Sequence, residues 1–176
     1  MNQMETTPIL AFGEPSLHMP SEPVDINDLA LPVQIEQLVT ALSNFQAEHG
    51  WGRAMAAPQI GINKRLIAVK IDENAQILIN PQITKTSKDK MIVWDDCMSM
   101  PNIAVEVERH TSIDIAYTNQ NGQQRSMTDL DPDFSELLQH EIDHLDGIVM
   151  TDRMINGGAV IKRDLVDKFE QYRDKT

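Results

Sequence analysis

The sequence predicts an α+β domain in which antiparallel or mixed β-sheets surround one central helix. Two observations carry that prediction. Helical and strand-like periodicities come in the order helix, strands, helix, helix, which is not the alternation of a parallel βαβ fold. The second helical segment contains His140-Glu141-Ile142-Asp143-His144, an H-E-x-x-H pattern that only a helix turns into a working unit. A chain of 176 residues suffices for one domain with a substantial core, and we read 1–176 as a single catalytic domain without repeats or low-complexity linkers.

The elements follow in order. Residues 1–31 read as an irregular arm, interrupted by Pro8, Pro15, Pro20 and Pro23, with Ile9, Leu10, Phe12 and Leu17 as its anchors. From Pro32 to His49, Ile35, Leu38, Val39, Leu42 and Phe45 recur at helical spacing, and Gly50 suits a helix end. A tight Gly, Ala and Pro segment at Gly52–Gly61 leads into strands at Arg65–Ile71, Gln76–Thr84, Met91–Trp94, Ala104–Arg109 and Ser112–Thr118. Alternating Ile113, Ile115 and Tyr117 mark a half-buried strand, and Asn121-Gly122 turns it into Gln123–Thr128. Asp131 as N-cap, Pro132 in the first turn, apolar Phe134, Leu137 and Leu138, and Gly147 as terminator frame the helix that carries the histidines. A charged amphipathic helix from about Ala159 to the end, 159–176, closes the chain.

Composition narrows the function. A formal net charge of −12 argues against phosphate-driven binding to nucleic acid, so no direct nucleic-acid partner is expected. No basic end precedes a long apolar run, so neither a signal peptide nor a membrane span is expected. The single cysteine, Cys97, has no partner for an internal disulfide, which fits a reducing, cytoplasmic setting.

On a helix, His140 and His144 project from one face and can share one divalent ion, while Glu141 reaches its water. Two imidazoles hold such an ion poorly, so a third ligand is expected from Cys97, a carboxylate or another histidine. Cys97 is the best candidate because it lies just past a predicted strand that can aim it across a cleft.

Three segments together resemble the peptide deformylase family. Gly52-Arg53-Ala54-Met55-Ala56-Ala57-Pro58-Gln59 is similar to its G-x-G-x-A-A-x-Q motif, Asp95-Asp96-Cys97-Met98-Ser99 to E-G-C-x-S, and Gln139 to His144 to Q-H-E-x-D-H. Flanking matches include Gly13 to Leu17, Leu78-Ile79-Asn80-Pro81, Val107-Glu108-Arg109 and Asp152-Arg153, so the resemblance covers roughly residues 9–153. It implies a deformylase-like fold and removal of the formyl group from N-terminal formylmethionine of newly made peptides, with release of formate. It also implies Cys97, His140 and His144 as metal ligands with water in the fourth position, and Glu141 as the general base. Gln59 and the backbone N–H of Met98 then serve as oxyanion donors. The implied metal is Fe2+ in the cell, with Zn2+, Ni2+ or Co2+ able to occupy purified protein; ligand chemistry alone would suggest zinc.

Departures cluster beside this site. Ala54 replaces a motif glycine, adding a methyl and a cost if φ is positive there. Asp95 and Asp96 stand for the usual Glu-Gly, and Arg53 for an apolar residue. Arg53 either pairs with Asp96, selects an acidic substrate group or is a solvated loop cation. Met55, Leu137 and Leu138 either line the methionine pocket or are plain core, and Asp143 either supports the site or is solvated. Two alternatives therefore stand beside the deformylase: a related amidohydrolase with altered acyl-peptide preference, and an inactive metal-retaining homologue acting as a binding protein. Lys162, Arg163, Lys168 and Arg173 offer either a ribosome contact or a solvated mixed-charge face, and oligomeric state is left open.

Overall fold

A computed structural model describes residues 7–173. The first helix, α1, spans Leu31–His49, and a short strand β1, Ala54–Ala56, follows it. The middle of the chain forms β2 (Leu66–Val69), β3 (Gln76–Thr86), β4 (Lys90–Cys97), β5 (Met100–His110), β6 (Ile113–Thr118) and β7 (Gln124–Met127). The second helix, α2, covers Pro132–Leu145, and the chain ends in β8 (Val160–Lys162) and α3 (Val166–Arg173). Strands β1-β2-β3-β6-β7 form one sheet and β4-β5-β8 a second, with every pairing antiparallel.

Period-2 alternation sorts the first sheet into two faces. Met55, Leu66, Ala68, Ile77 and Ile79 pack with Leu38, Leu42 and Phe45 of α1. Ala54, Ala56, Ile67, Val69, Leu78 and Ile115 pack with Leu137, Leu138, Ile142 and Leu145 of α2. The sheet thus lies between the two helices, which explains why β2 is apolar at all four positions. Fully burying a Leu or Ile side chain contributes roughly 1.5–3 kcal/mol, and both layers are built from such residues.

The structure corrects several expectations. Residues 160–162 form a strand rather than helix, because β-branched Val160 and Ile161 follow Gly157-Gly158 and complete the open edge of β5. Helix α3 starts only at Val166; the expected continuation through 174–176, like arm residues 1–6, lies outside the described residues. Strand β1 arises inside the tight segment, since Ala54 and Ala56 are small enough to sit between β2 and α2. In the arm, Leu17 is buried but Phe12 is exposed, and backbone bonds do the anchoring: Leu10 N–H to Gln59 O, Phe12 N–H to Ser99 O and Ser21 N–H to Leu145 O.

Helix α2 begins and ends as its sequence dictates. The Asp131 carboxylate accepts from Phe134 N–H at 2.9 Å, and Pro132 fills the first turn. Gly147 holds φ at +74°, and a Cβ there would come within 2.8 Å of the His18 backbone. Only glycine both reverses the chain and lets the arm cross at that point.

Candidate metal centre

Strand β4 and helix α2 build the centre between them. Antiparallel pairing carries β4 to Cys97, where a two-residue turn, Met98-Ser99, leads into β5. The turn fixes the thiol at the end of a rigid ladder, opposite the middle of α2. Cys97, His140 and His144 are all buried, and their donor atoms lie within 4.8 Å of one another. Cys97 Sγ is 3.2 Å from His144 Nε2, and the imidazole rings sit edge to face at 4.8 Å.

The ring orientations suit a cation. His140 Nδ1 meets Asp95 Oδ1 at 2.6 Å, which leaves Nε2 for the centre. A thiol and two imidazoles converging in a buried space form a donor set for a divalent transition metal, with a fourth position left to solvent or substrate. The residues present therefore fit the metal that the motifs imply.

Behind His140 runs an ionic chain, buried at Asp95, Arg109 and Asp143 and reaching the surface at Arg153, that the sequence did not announce. Asp95 Oδ2 accepts from Arg109 at 2.7 Å, Arg109 also donates to Asp143, and Arg153 donates to both Asp143 oxygens at 2.7 and 3.1 Å. Asp143 thus supports the site, through Arg109 and Asp95, instead of facing solvent. One signal was available: Arg109 continues the inward alternation of Val105 and Val107 on β5, where a charge demands a partner.

The electrostatics follow from burial and these contacts. Burial works to raise the pKa of Asp95, but the charge and hydrogen bonds of His140 and Arg109 outweigh it and hold the carboxyl at about 2. Burial opposes the charged form of His140, yet Asp95 and then Cys97 raise its pKa well above the ordinary value. Burial and the neighbouring His140 lower His144 well below it. Burial pushes Glu141 up to about 7, with Asp95 and Glu136 adding to the rise and His140 and Arg53 opposing it.

The remaining predicted site residues divide. Glu141 is 3% exposed, and its Oε2 has no hydrogen-bond partner among the described residues. Gln59 accepts from Ala56 N–H at 2.9 Å through its carbonyl, which turns its amide toward Cys97 Sγ at 3.5 Å and Ser99 Oγ at 3.4 Å. Met98 opens the turn after Cys97, and its side chain packs where a Cβ on Gly52 would stand, 2.6 Å from Cε. Gly52, Arg53, Ala54, Gln59, Cys97, Met98, Leu137, His140 and Glu141 share one open cleft of ≈ 760 Å³. Met55 does not line it; its side chain faces α1 from the other side of β1, so its place is core, as is that of Leu138.

The departures are accommodated. Ala54 lies in extended β1 and is absent from the residues with positive φ, so the expected backbone cost does not arise. Arg53 pairs with Asp133 at 2.6 Å and Glu136 at 3.2 Å, not with Asp96. Glu136 and Asp133 precede His140 by four and seven residues and therefore share its helix face. Burial raises Glu136 to about 7, with Asp95 adding to the rise and His140 and Arg53 opposing it. Asp96 instead pairs with Arg163, which also stacks on Trp51. Sequence reasoning overlooked Glu136, Trp51 and the cleft position of Arg163, since an isolated glutamate on a charged helix and an arginine in a mixed-charge tail carry no local signature.

Comparison with known proteins agrees with this geometry. A sequence profile of polypeptide deformylase matches residues 6–159. A peptide deformylase of Treponema pallidum is 37% identical over 145 residues, covering 81% of this chain and 85% of that one. One from Synechocystis is 41% identical over 112 residues, covering 60% of this chain and 58% of that one. The crystal structure of peptide deformylase from Thermotoga maritima superposes with a TM-score of 0.77 at 30% identity, covering 86% of this chain and 99% of that one. With a thiol, two imidazoles, a buried glutamate and an oriented glutamine in place, this chain belongs to the peptide deformylase family, the hydrolases that remove the N-formyl group from new peptides.

Proposed function

We propose that this chain deformylates N-formylmethionyl peptides at a single divalent cation held by Cys97, His140 and His144. Fe2+ is our choice for the cell; Zn2+, Ni2+ or Co2+ suit the same donors. The observation that carries the reading is the convergence of those three donors beside a buried glutamate with an unpaired oxygen. No helix among the described residues is long and apolar enough to cross a membrane, and Cys97 is a free thiol; we place the protein in the cytoplasm, where new chains emerge.

The residues divide the work. Held by Cys97, His140 and His144, a divalent cation would polarise a carbonyl oxygen and make water acidic enough to lose a proton near neutral pH. Glu141 Oε2, unpaired and held in a buried setting that raises its proton affinity, would accept a proton from the water whose oxygen attacks the formyl carbon. The Gln59 amide, held by its Ala56 bond, donates to the oxygen on which negative charge develops, and the family resemblance assigns the second donor to the Met98 N–H. Glu141 then delivers the proton to the leaving amine as the carbon–nitrogen bond breaks, releasing formate and the free N-terminus. Asp95 keeps His140 turned correctly throughout.

Formate release from formyl-Met-Ala-Ser by anaerobically prepared, iron-loaded protein is the direct test. Glu141→Gln is expected to lose at least about 10²-fold in kcat with metal content unchanged. Full activity in that variant removes Glu141 from the mechanism, and no release by the unaltered protein removes the function.

One observation favours a second reading, an altered side-chain preference at the first residue. The cleft wall one and two turns from His140 is ionic, Arg53 with Glu136 and Asp133, where a methionine pocket would be apolar. A panel of formyl peptides varied at the first residue decides it, and strict preference for methionine eliminates it.

A further inference from the structure

The residues that follow the profile match supply a cation to the cleft. Strand β8 runs antiparallel to β5, pairing Val160 with Val105 and Lys162 with Ile103. The chain is therefore carried toward the end of the β4–β5 hairpin that holds Cys97 and delivers Arg163 to the cleft, outside the matched residues 6–159.

Arg163 is fixed on two sides. Its guanidinium lies 3.8 Å from the ring centroid of Trp51, in the loop before β1, and its Nε donates to Asp96, the neighbour of Cys97. It therefore spans the two walls of the cleft. Its Nη1 and Nη2 groups have no partner among the described residues. A planar guanidinium held by stacking and one hydrogen bond keeps its outer edge ready for a carboxylate, with little entropy left to lose.

The other cleft cations are less suited. Arg53 has both Nη atoms engaged by Asp133 and Glu136, so the acid-selecting role open to it in the sequence is not available. Lys70 is tied to the neutral Ser43 hydroxyl and is a flexible point charge. The helix tail does not compete, because Glu170 receives the Trp94 indole N–H and Phe169 packs edge-on against Trp94.

We propose that Arg163 is a substrate-binding residue that recognises a carboxylate on the formyl peptide downstream of its first residue. The proposal rests on the cleft being the peptide-binding groove of the deformylase. The carboxylate can come from the C-terminus of a short peptide or from an acidic side chain, and the chemistry asked of Arg163 is the same.

The test pairs binding with turnover. Product peptide Met-Ala-Ser, as free acid and as C-terminal amide, and Met-Ala-Glu amide beside Met-Ala-Gln amide, are titrated calorimetrically into iron-loaded protein. Their formylated forms give KM and kcat. Arg163→Met, which keeps the stem over Trp51 but removes the charge, is expected to raise Kd and KM about tenfold for the carboxylate member of at least one pair. The neutral members should change less than about twofold and kcat should hold, with Arg163→Lys intermediate. Response of the first pair alone identifies the C-terminus as the source, and of the second alone the side chain.

Equal weakening of acid and neutral peptides would show that Arg163 only clamps the cleft walls, and no change in either would show that it is idle; both overturn the proposal. A selective loss of product binding in a protein that turns over no formyl peptide keeps Arg163 as a carboxylate-binding residue of a peptide groove and rejects the deformylase reading. Undiminished formyl-Met turnover with no carboxylate selectivity does the reverse.

Discussion

Replacing Asp95 by Asn removes one negative charge at the junction between His140 and Arg109 and leaves the shape nearly unchanged. Asp95 is 1% exposed and makes two charge-assisted hydrogen bonds, at 2.6 Å to His140 and 2.7 Å to Arg109. Its carboxyl falls from 3.8 to about 2 in the fold, which corresponds to about 2 kcal/mol of net favourable interaction with the charge. Breaking a buried ionic contact typically costs ~3–5 kcal/mol, and here Arg109 keeps Asp143, so we expect a loss of about 2–4 kcal/mol. For a chain of this size that is a fall in Tm of roughly 4–16 °C. Because Asp95 also orients His140, metal affinity should drop about 10–100-fold, read by competition against a chromogenic chelator. The double variant Asp95→Asn/Arg109→Met should lose less stability than the sum of the single changes, since no buried cation is left half-paired. Unchanged metal affinity with a Tm shift under about 1 °C would refute the reasoning and make Asp95 a bystander.

The same carboxylate sets an acid limit. Because the folded pKa of Asp95 lies below the unfolded one, its contribution is complete above about pH 4 and disappears as pH falls through about 2. Denaturant unfolding between pH 2 and 5 should show a steeper loss in the unaltered protein than in Asp95→Asn; parallel profiles refute this. Gly147→Ala combines a positive φ with a Cβ 2.8 Å from the His18 backbone, so a cost of about 2 kcal/mol or more is expected by thermal unfolding. A neutral effect there would mean that the arm does not press on the end of α2.

What could be read in the chain depended on the distance over which the signal acts. Helices α1 and α2 were legible because apolar spacing, an N-cap aspartate and terminal glycines act within a few residues. His140 and His144 were legible for the same reason. Strand β8 was not, because what makes Val160–Lys162 extended is the unpaired edge of β5, more than fifty residues earlier in the chain. Nor was the Arg153–Asp143–Arg109–Asp95 chain, whose members come from β4, β5, α2 and the turn after it. A buried charge states only that it needs a partner, and the fold decides which one.

The exchange of Glu-Gly for Asp95-Asp96 shows how one pair of adjacent residues can serve two sides of a strand. Successive side chains on β4 point to opposite faces, so Asp95 enters the interior beside His140 and Arg109 while Asp96 enters the cleft. The first keeps an imidazole aligned for the cation. The second draws in Arg163 from a tail beyond the residues that the family profile matches. An extra carboxylate next to a metal ligand would repel the negative charge that develops on the substrate, but Arg163 neutralises it and retains two Nη groups to donate. Asp96→Asn should therefore leave the centre assembled while loosening Arg163, and weaken carboxylate-bearing peptides more than neutral ones. If it instead strips the metal, Asp96 belongs to the centre and not to the cleft wall.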